Sequence, residues 1–104
     1  MSYRVENRGD KTMYFGLGGH PGFNVPFDGG EFEDYYIHFE NESVPTQIFA
    51  NDSGLITAKT APYNLKNGKD IWLKHELFDN DAIILTDVLK SVYIKGKDTK
   101  RAVK

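Results

Sequence analysis

Residues 34–40 read DYYIHFE, and their character changes at every second position. In an extended chain, Tyr35, Ile37 and Phe39 would lie on one face, and the more polar residues between them on the other. Successive side chains of a β-strand point to opposite faces of its sheet. The stretch therefore predicts a strand of an antiparallel sheet that buries one face and exposes the other.

The same alternation recurs along the chain, between clusters of Gly, Asn, Asp and Pro that favour turns. Residues 12–17, TMYFGL, form a second clear strand pattern, with Met13, Phe15 and Leu17 on one face. Weaker strand patterns occupy residues 2–6, 46–50, 54–58, 71–75, 82–86 and 91–96. Turn residues cluster at 7–10, 28–30, 51–54 and 67–68.

These patterns predict a mainly β chain, in preference to an α+β one, and a part of an antiparallel β-sandwich. Residues 81–91 alone allow a short helix, because Ile84, Val88 and Ser91 follow helical spacing, although Val and Ile suit a strand equally well. Residues 101–103 begin to look like one more strand. Unpaired edge strands expose backbone donors and acceptors. Self-association through exposed sheet edges is therefore a further expectation.

The composition is that of one folded domain or a part of a larger one, with 104 residues, 39% apolar and 27% charged. A net charge of −2 gives no reason to expect a nucleic acid or an anionic membrane as the partner. The absence of cysteine excludes a thiolate nucleophile and a thiolate metal site. No signal-like or membrane-spanning apolar run occurs, so a cytoplasmic location is the default expectation.

His20 lies in the stretch LGGHPGFNVP, residues 17–26, between two glycines and a proline. Gly18 and Gly19 can adopt positive φ or allow another backbone to approach closely, and Pro21 fixes its own φ. Histidine has an unperturbed pKa of about 6.5, so it can donate and accept protons near neutral pH. Two interpretations of His20 remain open. Either a rigid turn directs the ring at a substrate, or the ring only hydrogen-bonds the turn beneath it.

The other candidates for chemistry are weaker. The glycines of residues 16–22 do not complete a dinucleotide-binding loop, and residues 74–79 lack the second histidine of a zinc-protease helix. His38 follows the polar side of a predicted strand beside Glu40, and His75 lies between Lys74 and Glu76. We interpret both histidines as surface or locally hydrogen-bonded residues.

Three stretches resemble a known family: GLGGHPGFNVPF at 16–27, FEDYYIHFE at 32–40 and HELFDNDAIILTDVLKSVYIKGK at 75–97. They are similar to the middle of the aldose 1-epimerase (galactose mutarotase) family, most closely to its LacX-type, aldose 1-epimerase-like branch. The resemblance implies a large antiparallel β-sandwich, the galactose mutarotase-like supersandwich, nearly three times as long as this chain. Residues 1–104 would then be the central portion of a single domain.

The resemblance also implies roles for individual residues. His20 falls on the general acid that protonates the ring oxygen of the sugar, and Asn24 is either a turn-fixing or a sugar-facing amide. Asp81 is matched to a sugar-binding aspartate, with Asp79 as the alternative register. The family's catalytic glutamate base, upstream arginine and first histidine have no counterpart among these residues.

The implied partner is a monosaccharide, a hexose or a related aldose, whose α and β anomers are interconverted without a metal or an organic cofactor. Whether the sugar carries a phosphate is left open by the sequence. A non-catalytic carbohydrate-binding or structural relative is the alternative, because the base is missing from these 104 residues.

Overall fold

The computed structural model describes residues 2–80, 82–88 and 90–104. This part of the chain contains seven β-strands and two single-turn 3-10 helices, at Phe32–Asp34 and His75–Phe78. The strands are β1 Tyr35–Phe39, β2 Thr46–Ala50, β3 Ile56–Pro62, β4 Asp70–Trp72, β5 Ile84–Thr86, β6 Val92–Gly96 and β7 Ala102–Val103. The protein is therefore mainly β, as the alternating sequence pattern predicts.

The strands form two antiparallel sheets. The first sheet has the order β4-β1-β6-β7, and the second has the order β3-β2-β5. β1 lies in the middle of the first sheet, where Ile37 is opposite Ile71 of β4 and Ile94 of β6. The stretch that gives the clearest strand pattern is thus the strand around which the larger sheet is built.

A small apolar core connects the two sheets. Phe39, Leu65 and Ile71 are buried and form its centre. Leu85 of β5 and Val92 of β6 pack against this cluster, so both sheets contribute side chains to one core. Two antiparallel sheets that share a core in this way agree with the predicted β-sandwich.

Tyr35 attaches the preceding loop to the first sheet. Its side chain is only 1% exposed, and its hydroxyl donates to the carbonyl oxygen of Gly29 at 2.8 Å and accepts from the amide of Asp28 at 2.9 Å. The ring of Phe27 meets the Tyr35 ring edge to face, with centroids 4.9 Å apart. Gly96 lies directly opposite Tyr35 on β6 and leaves the space that the ring occupies.

Residues 2–24 contain no regular secondary structure, and every one of them is exposed. The strands predicted at 2–6 and 12–17 are therefore wrong, and Phe15 and Leu17 are each 59% exposed. A strand needs a hydrogen-bonded neighbour, and no described strand pairs with this segment. The radius of gyration of 16.8 Å exceeds the roughly 13 Å of a compact domain of this size, in agreement with an extended segment.

The other strand and turn predictions agree more closely with the structure. Strands occur at or near the positions predicted from residue 34 onward, and β7 confirms the strand expected at 101–103. β5 occupies part of the 81–91 stretch, so the helical alternative is wrong for Ile84–Thr86. At the predicted turn of residues 67–68, Asn67 and Gly68 have φ values of 53° and 70°. No helix in the described part of the chain is long and apolar enough to cross a membrane.

Replacing Gly96 with alanine should destabilise the fold. The added Cβ would lie 2.6 Å from Cγ2 of Thr99 and 3.0 Å from Cε1 of Tyr35, so the ring or the strand must shift. We expect a loss of about 1–3 kcal/mol in the free energy of unfolding, measured by urea denaturation. Gly18→Ala is the matched control, since its Cβ meets no atom within 4 Å and the change should stay within about 0.5 kcal/mol. Equal effects of the two substitutions would contradict the packing of Tyr35 against Gly96.

The ion pair between Asp34 and Lys97 should make stability depend on acid pH. Lys97 Nζ lies 2.7 Å from Asp34 Oδ1, and this hydrogen bond, with one from the Glu31 amide, holds the pKa of Asp34 below its ordinary value of 3.8. A carboxyl group with a lowered folded-state pKa stabilises the protein above its unfolded-state pKa and loses that contribution as the pH falls through the folded value. The stability advantage over Asp34→Asn should therefore be present at neutral pH and shrink below pH 3.8. An advantage of the same size at neutral and strongly acid pH would contradict this account.

Candidate functional site

A groove of about 770 Å³ opens on the second sheet. One wall is the β2–β3 hairpin, which contributes Gln47, Phe49 and Lys59. The other wall is the segment around the end of the second 3-10 helix, which contributes Asp79 and Asn80. Amide, carboxylate, ammonium and aromatic groups therefore line one open concavity, which we take as the candidate site.

The groove lies on the face of the second sheet that also reaches the core. Gln47 is directly opposite Ala61 on β3 and Leu85 on β5, so the three side chains share one face. Leu85 packs against the apolar cluster, and Leu77 both packs against that cluster and lines the groove. The groove therefore continues the core-facing side of the second sheet. Polar residues line it where the apolar core ends and solvent begins.

A bulge in β3 shapes the hairpin wall. Between the pairs Ile48–Thr60 and Ala50–Ile56, one residue of β2 faces three residues of β3. Thr57 secures this irregularity, because its hydroxyl donates to the carbonyl oxygen of Phe49 at 2.8 Å and accepts from the amide of Lys59 at 3.2 Å. The Lys59 ammonium lies 4.9 Å from the centroid of the Phe49 ring.

The turn of the hairpin forms one end of the groove. Asn51 Oδ1 accepts hydrogen bonds from the amides of Ser53 and Leu55, each at 3.0 Å, and Gly54 has a φ of 74°. This confirms the turn predicted at residues 51–54. Because Asn51 and Asp52 both line the groove, the turn that closes the hairpin also places polar groups at the candidate site.

The structure places the predicted site residues in different locations. Asp79, the alternative sugar-binding aspartate, lines the groove. Asp81, the first choice for that role, lies outside the described residues. His20 and Asn24 are exposed in the irregular segment of residues 2–24 and are not among the residues that line the groove. The roles given to His20, Asn24 and Asp81 remain predictions.

The local conformation around His20 differs from the expected tight turn. Residues 12–24 form neither a turn nor a bend, and neither Gly18 nor Gly19 has a positive φ. A Cβ at Gly18 would meet no atom, and one at Gly19 would meet only Cδ of Pro21 at 3.8 Å. The expectation that these glycines permit a turn or a close backbone approach is therefore wrong.

The other two histidines have structural partners. His38 Nδ1 lies 2.7 Å from Asp70 Oδ1 on the neighbouring strand, which agrees with a locally hydrogen-bonded histidine. The ring of His75 stacks on Phe32 with centroids 4.6 Å apart, and this contact joins the two 3-10 helices. These contacts account for both side chains without a catalytic role.

The outer face of the first sheet also carries aromatic rings, which contact one another and neighbouring lysine side chains. Trp72 stacks on Tyr36 with centroids 4.8 Å apart, and the Lys66 ammonium lies 5.0 Å over the Trp72 ring. Tyr93 is approached by Lys95 at 5.4 Å and by Lys104 at 5.7 Å. These rings lie on a sheet face, whereas the groove brings carboxylate and amide groups together in one concavity, so the groove is the stronger candidate.

Sequence reasoning missed most of the groove. Gln47 and Phe49 were predicted only as strand residues, and Lys59 and Asn80 were not singled out at all. The alternation within 46–50 and the turn at 51–54 could have placed Gln47 and Phe49 on one face of a hairpin. The bulge could not have been foreseen from these patterns. Within residues 2–80, 82–88 and 90–104, no group of three or more His, Cys, Asp or Glu side chains could hold a metal ion.

Comparison with known proteins gives one informative similarity. The plasmid and chromosomal forms of protein LacX of Lactococcus lactis subsp. lactis are each 38% identical to this chain over 86 residues. The match covers 79% of the chain but 28% of LacX, so the chain spans little more than a quarter of the length of these curated relatives. No protein-family model matches the chain, and no solved structure matches it.

Proposed function

We propose that this chain is the central portion of a LacX-type, aldose 1-epimerase-like protein that binds a monosaccharide. The observation that carries the proposal is the 38% identity to LacX over 86 residues. Two further observations support it: the sequence His20-Pro21-Gly22-Phe23-Asn24, and the groove that Asp79 lines. The ligand is a hexose or a related aldose, and Asp79 or Asp81 binds its hydroxyl groups.

The reaction that fits is the interconversion of the α and β anomers. A proton leaves the anomeric hydroxyl while another arrives at the ring oxygen, and the bond between C1 and the ring oxygen breaks to give the open aldehyde. Rotation about the C1–C2 bond and reclosure on the opposite face give the other anomer. The step requires one acid and one base at the same sugar.

His20 is the acid in this proposal. Its imidazolium donates a proton to the ring oxygen and recovers that proton when the ring closes. His20 is exposed and makes no hydrogen bond with any other described residue, so its ring nitrogens are free to meet a substrate. No residue of the chain is assigned as the base.

A non-catalytic carbohydrate-binding protein is the second candidate. One observation favours it: His20 and Asn24 are not among the residues that line the groove, so the proposed acid and the proposed sugar-binding wall do not share one site within the described residues. In that case Asp79 and the hairpin would bind the sugar, and His20 would have no chemical role.

Polarimetry distinguishes the two candidates. The protein encoded by the complete reading frame that contains this chain should accelerate the mutarotation of freshly dissolved α-D-galactose or α-D-glucose. His20→Ala should reduce that acceleration by about 10²- to 10⁴-fold, the usual contribution of a general acid.

His38→Gln is the matched control, because His38 lies on the first sheet and glutamine can still hydrogen-bond Asp70. This variant should keep the parent rate. Acceleration that survives His20→Ala with the fold intact would refute the acid role. Sugar binding without any acceleration by the parent protein would favour the non-catalytic candidate.

A further inference from the structure

The exposed segment of residues 2–24 carries a clear strand pattern, TMYFGL at 12–17. Its alternating apolar face, formed by Met13, Phe15 and Leu17, is exposed, and Tyr14 between them is 92% exposed. Thr, Tyr and Phe are residues that favour strands. The segment is therefore suited to a strand, and what it lacks within the described chain is a neighbour that pairs with its backbone.

The second sheet has a long edge that is also unpaired. β3 is an outer strand of seven residues, whereas the other outer strands, β4, β5 and β7, have three, three and two residues. The Tyr63 amide donates to the carbonyl oxygen of Pro45 at 2.8 Å, and Thr60 lies opposite Ile48 of β2. Because backbone groups alternate in direction along a strand, those of Thr60 point away from β2. No described strand pairs with that side of β3.

The composition of this edge suits the addition of a strand. Leu55 and Ile56, where the edge begins, are 65% and 66% exposed. Exposed apolar residues beside an unpaired edge mark a surface on which another strand can pair. Pro62 has no N–H to donate, so the edge available to a neighbour is residues 56–61. This edge has the same length as the TMYFGL segment.

The exposed area of the chain indicates how much surface a partner could cover. The chain exposes 8462 Å², whereas a compact monomer of 11.8 kDa exposes roughly 5,900 Å². One chain therefore has an excess of about 2,500 Å² over a compact monomer. Permanent homodimers bury about 2,000–5,000 Å² in total, so two chains have enough excess surface for such an interface.

We propose that two copies of this chain form a closed dimer by reciprocal strand addition. Residues 12–17 of each copy pair antiparallel with the outer edge of β3 in the other copy. Each copy gives one strand and receives one, so the contact is isologous and closes with twofold symmetry. Backbone hydrogen bonds provide the affinity of such strand addition, and the alternating face of Met13, Phe15 and Leu17 sets its register. The proposal does not depend on the sugar site.

The mass of the 104-residue chain in solution is the first test. Sedimentation equilibrium from micromolar to millimolar concentration should show a transition from 11.8 kDa to twice that mass, with no larger species. A strict monomer over this range would overturn the proposal. Masses that grow without limit would also overturn it, because they indicate open-ended pairing and not a closed dimer.

Proline substitutions identify the two strands involved. Neighbouring amides point to opposite sides of a strand, so either Tyr14→Pro or Phe15→Pro removes a hydrogen bond to β3. Thr60→Pro removes an outward N–H from the edge that accepts the strand. Each substitution occurs twice in a symmetric dimer, so the effective variants should weaken dimerisation about 10- to 100-fold.

Asp10→Pro is the matched control, since Asp10 is exposed in the same segment but lies outside the strand pattern. This variant should dimerise as the parent chain does. A dimer that survives Tyr14→Pro and Phe15→Pro alike would refute the role of residues 12–17.

A spin label shows directly where the segment binds, and it leaves β3 unchanged. The chain has no cysteine, so Tyr14→Cys gives a single labelling position. Labelled chains are mixed with isotope-labelled chains that carry no spin label. Adjacent strands lie about 4.8 Å apart, so the amide resonances of residues 56–61 in the isotope-labelled copy should broaden strongly. The reduced, diamagnetic label is the control and should broaden none of them.

Two results of this experiment would overturn the proposal. Broadening confined to β4, β5 or β7 would show that a different edge receives the segment. Protection of the amides of residues 12–17 from hydrogen exchange in a chain that stays monomeric would show that the segment pairs within its own chain. Broadening of residues 56–61 together with the doubled mass supports the reciprocal dimer.

Discussion

The buried side chain of Tyr35 is the constraint on which the arrangement of the chain depends. Its hydroxyl is bonded to the backbone of Asp28 and Gly29, its ring packs on Phe27, and Gly96 leaves it room across the first sheet. This single residue therefore joins the central strand of the larger sheet to the loop that follows the His-Pro-x-Phe-Asn motif. Residues 2–24 are exposed, so these contacts fix the point at which that segment meets the folded part.

From that point the molecule has two parts with different physical character. From residue 27 onward, the chain contains both sheets, the shared core and the groove, each held by hydrogen-bonded pairing or buried apolar contact. The segment before it carries His20 and Asn24 without regular structure. The proposed acid and the proposed sugar-binding carboxylate thus lie on opposite sides of the Tyr35 contacts along the sequence. For His20 to act as the acid, the exposed segment of residues 2–24 must approach the same sugar that the groove binds.

The sequence predicted the strands where local pattern and pairing agree. DYYIHFE is β1 because its apolar face meets a core and its backbone has a neighbour on each side. TMYFGL has an equally clear alternation, but no strand pairs with it. Alternation shows which face a strand would bury and does not show whether a partner exists. Turns were predictable because Asn and Gly act locally, whereas the bulge in β3 depends on pairing across the hairpin. Asp79 was predicted as a site residue only through the family resemblance, and the groove around it depends on contacts distant in sequence.

The central claim is that His20 and the groove serve one sugar. The direct measurement is the NMR signal of the His20 imidazole in the protein encoded by the complete reading frame, recorded with and without saturating D-galactose. The account predicts that the His20 ring resonances shift together with the amide resonance of Asp79 and follow the same binding curve. A groove that saturates while the His20 ring resonances stay unchanged would contradict it.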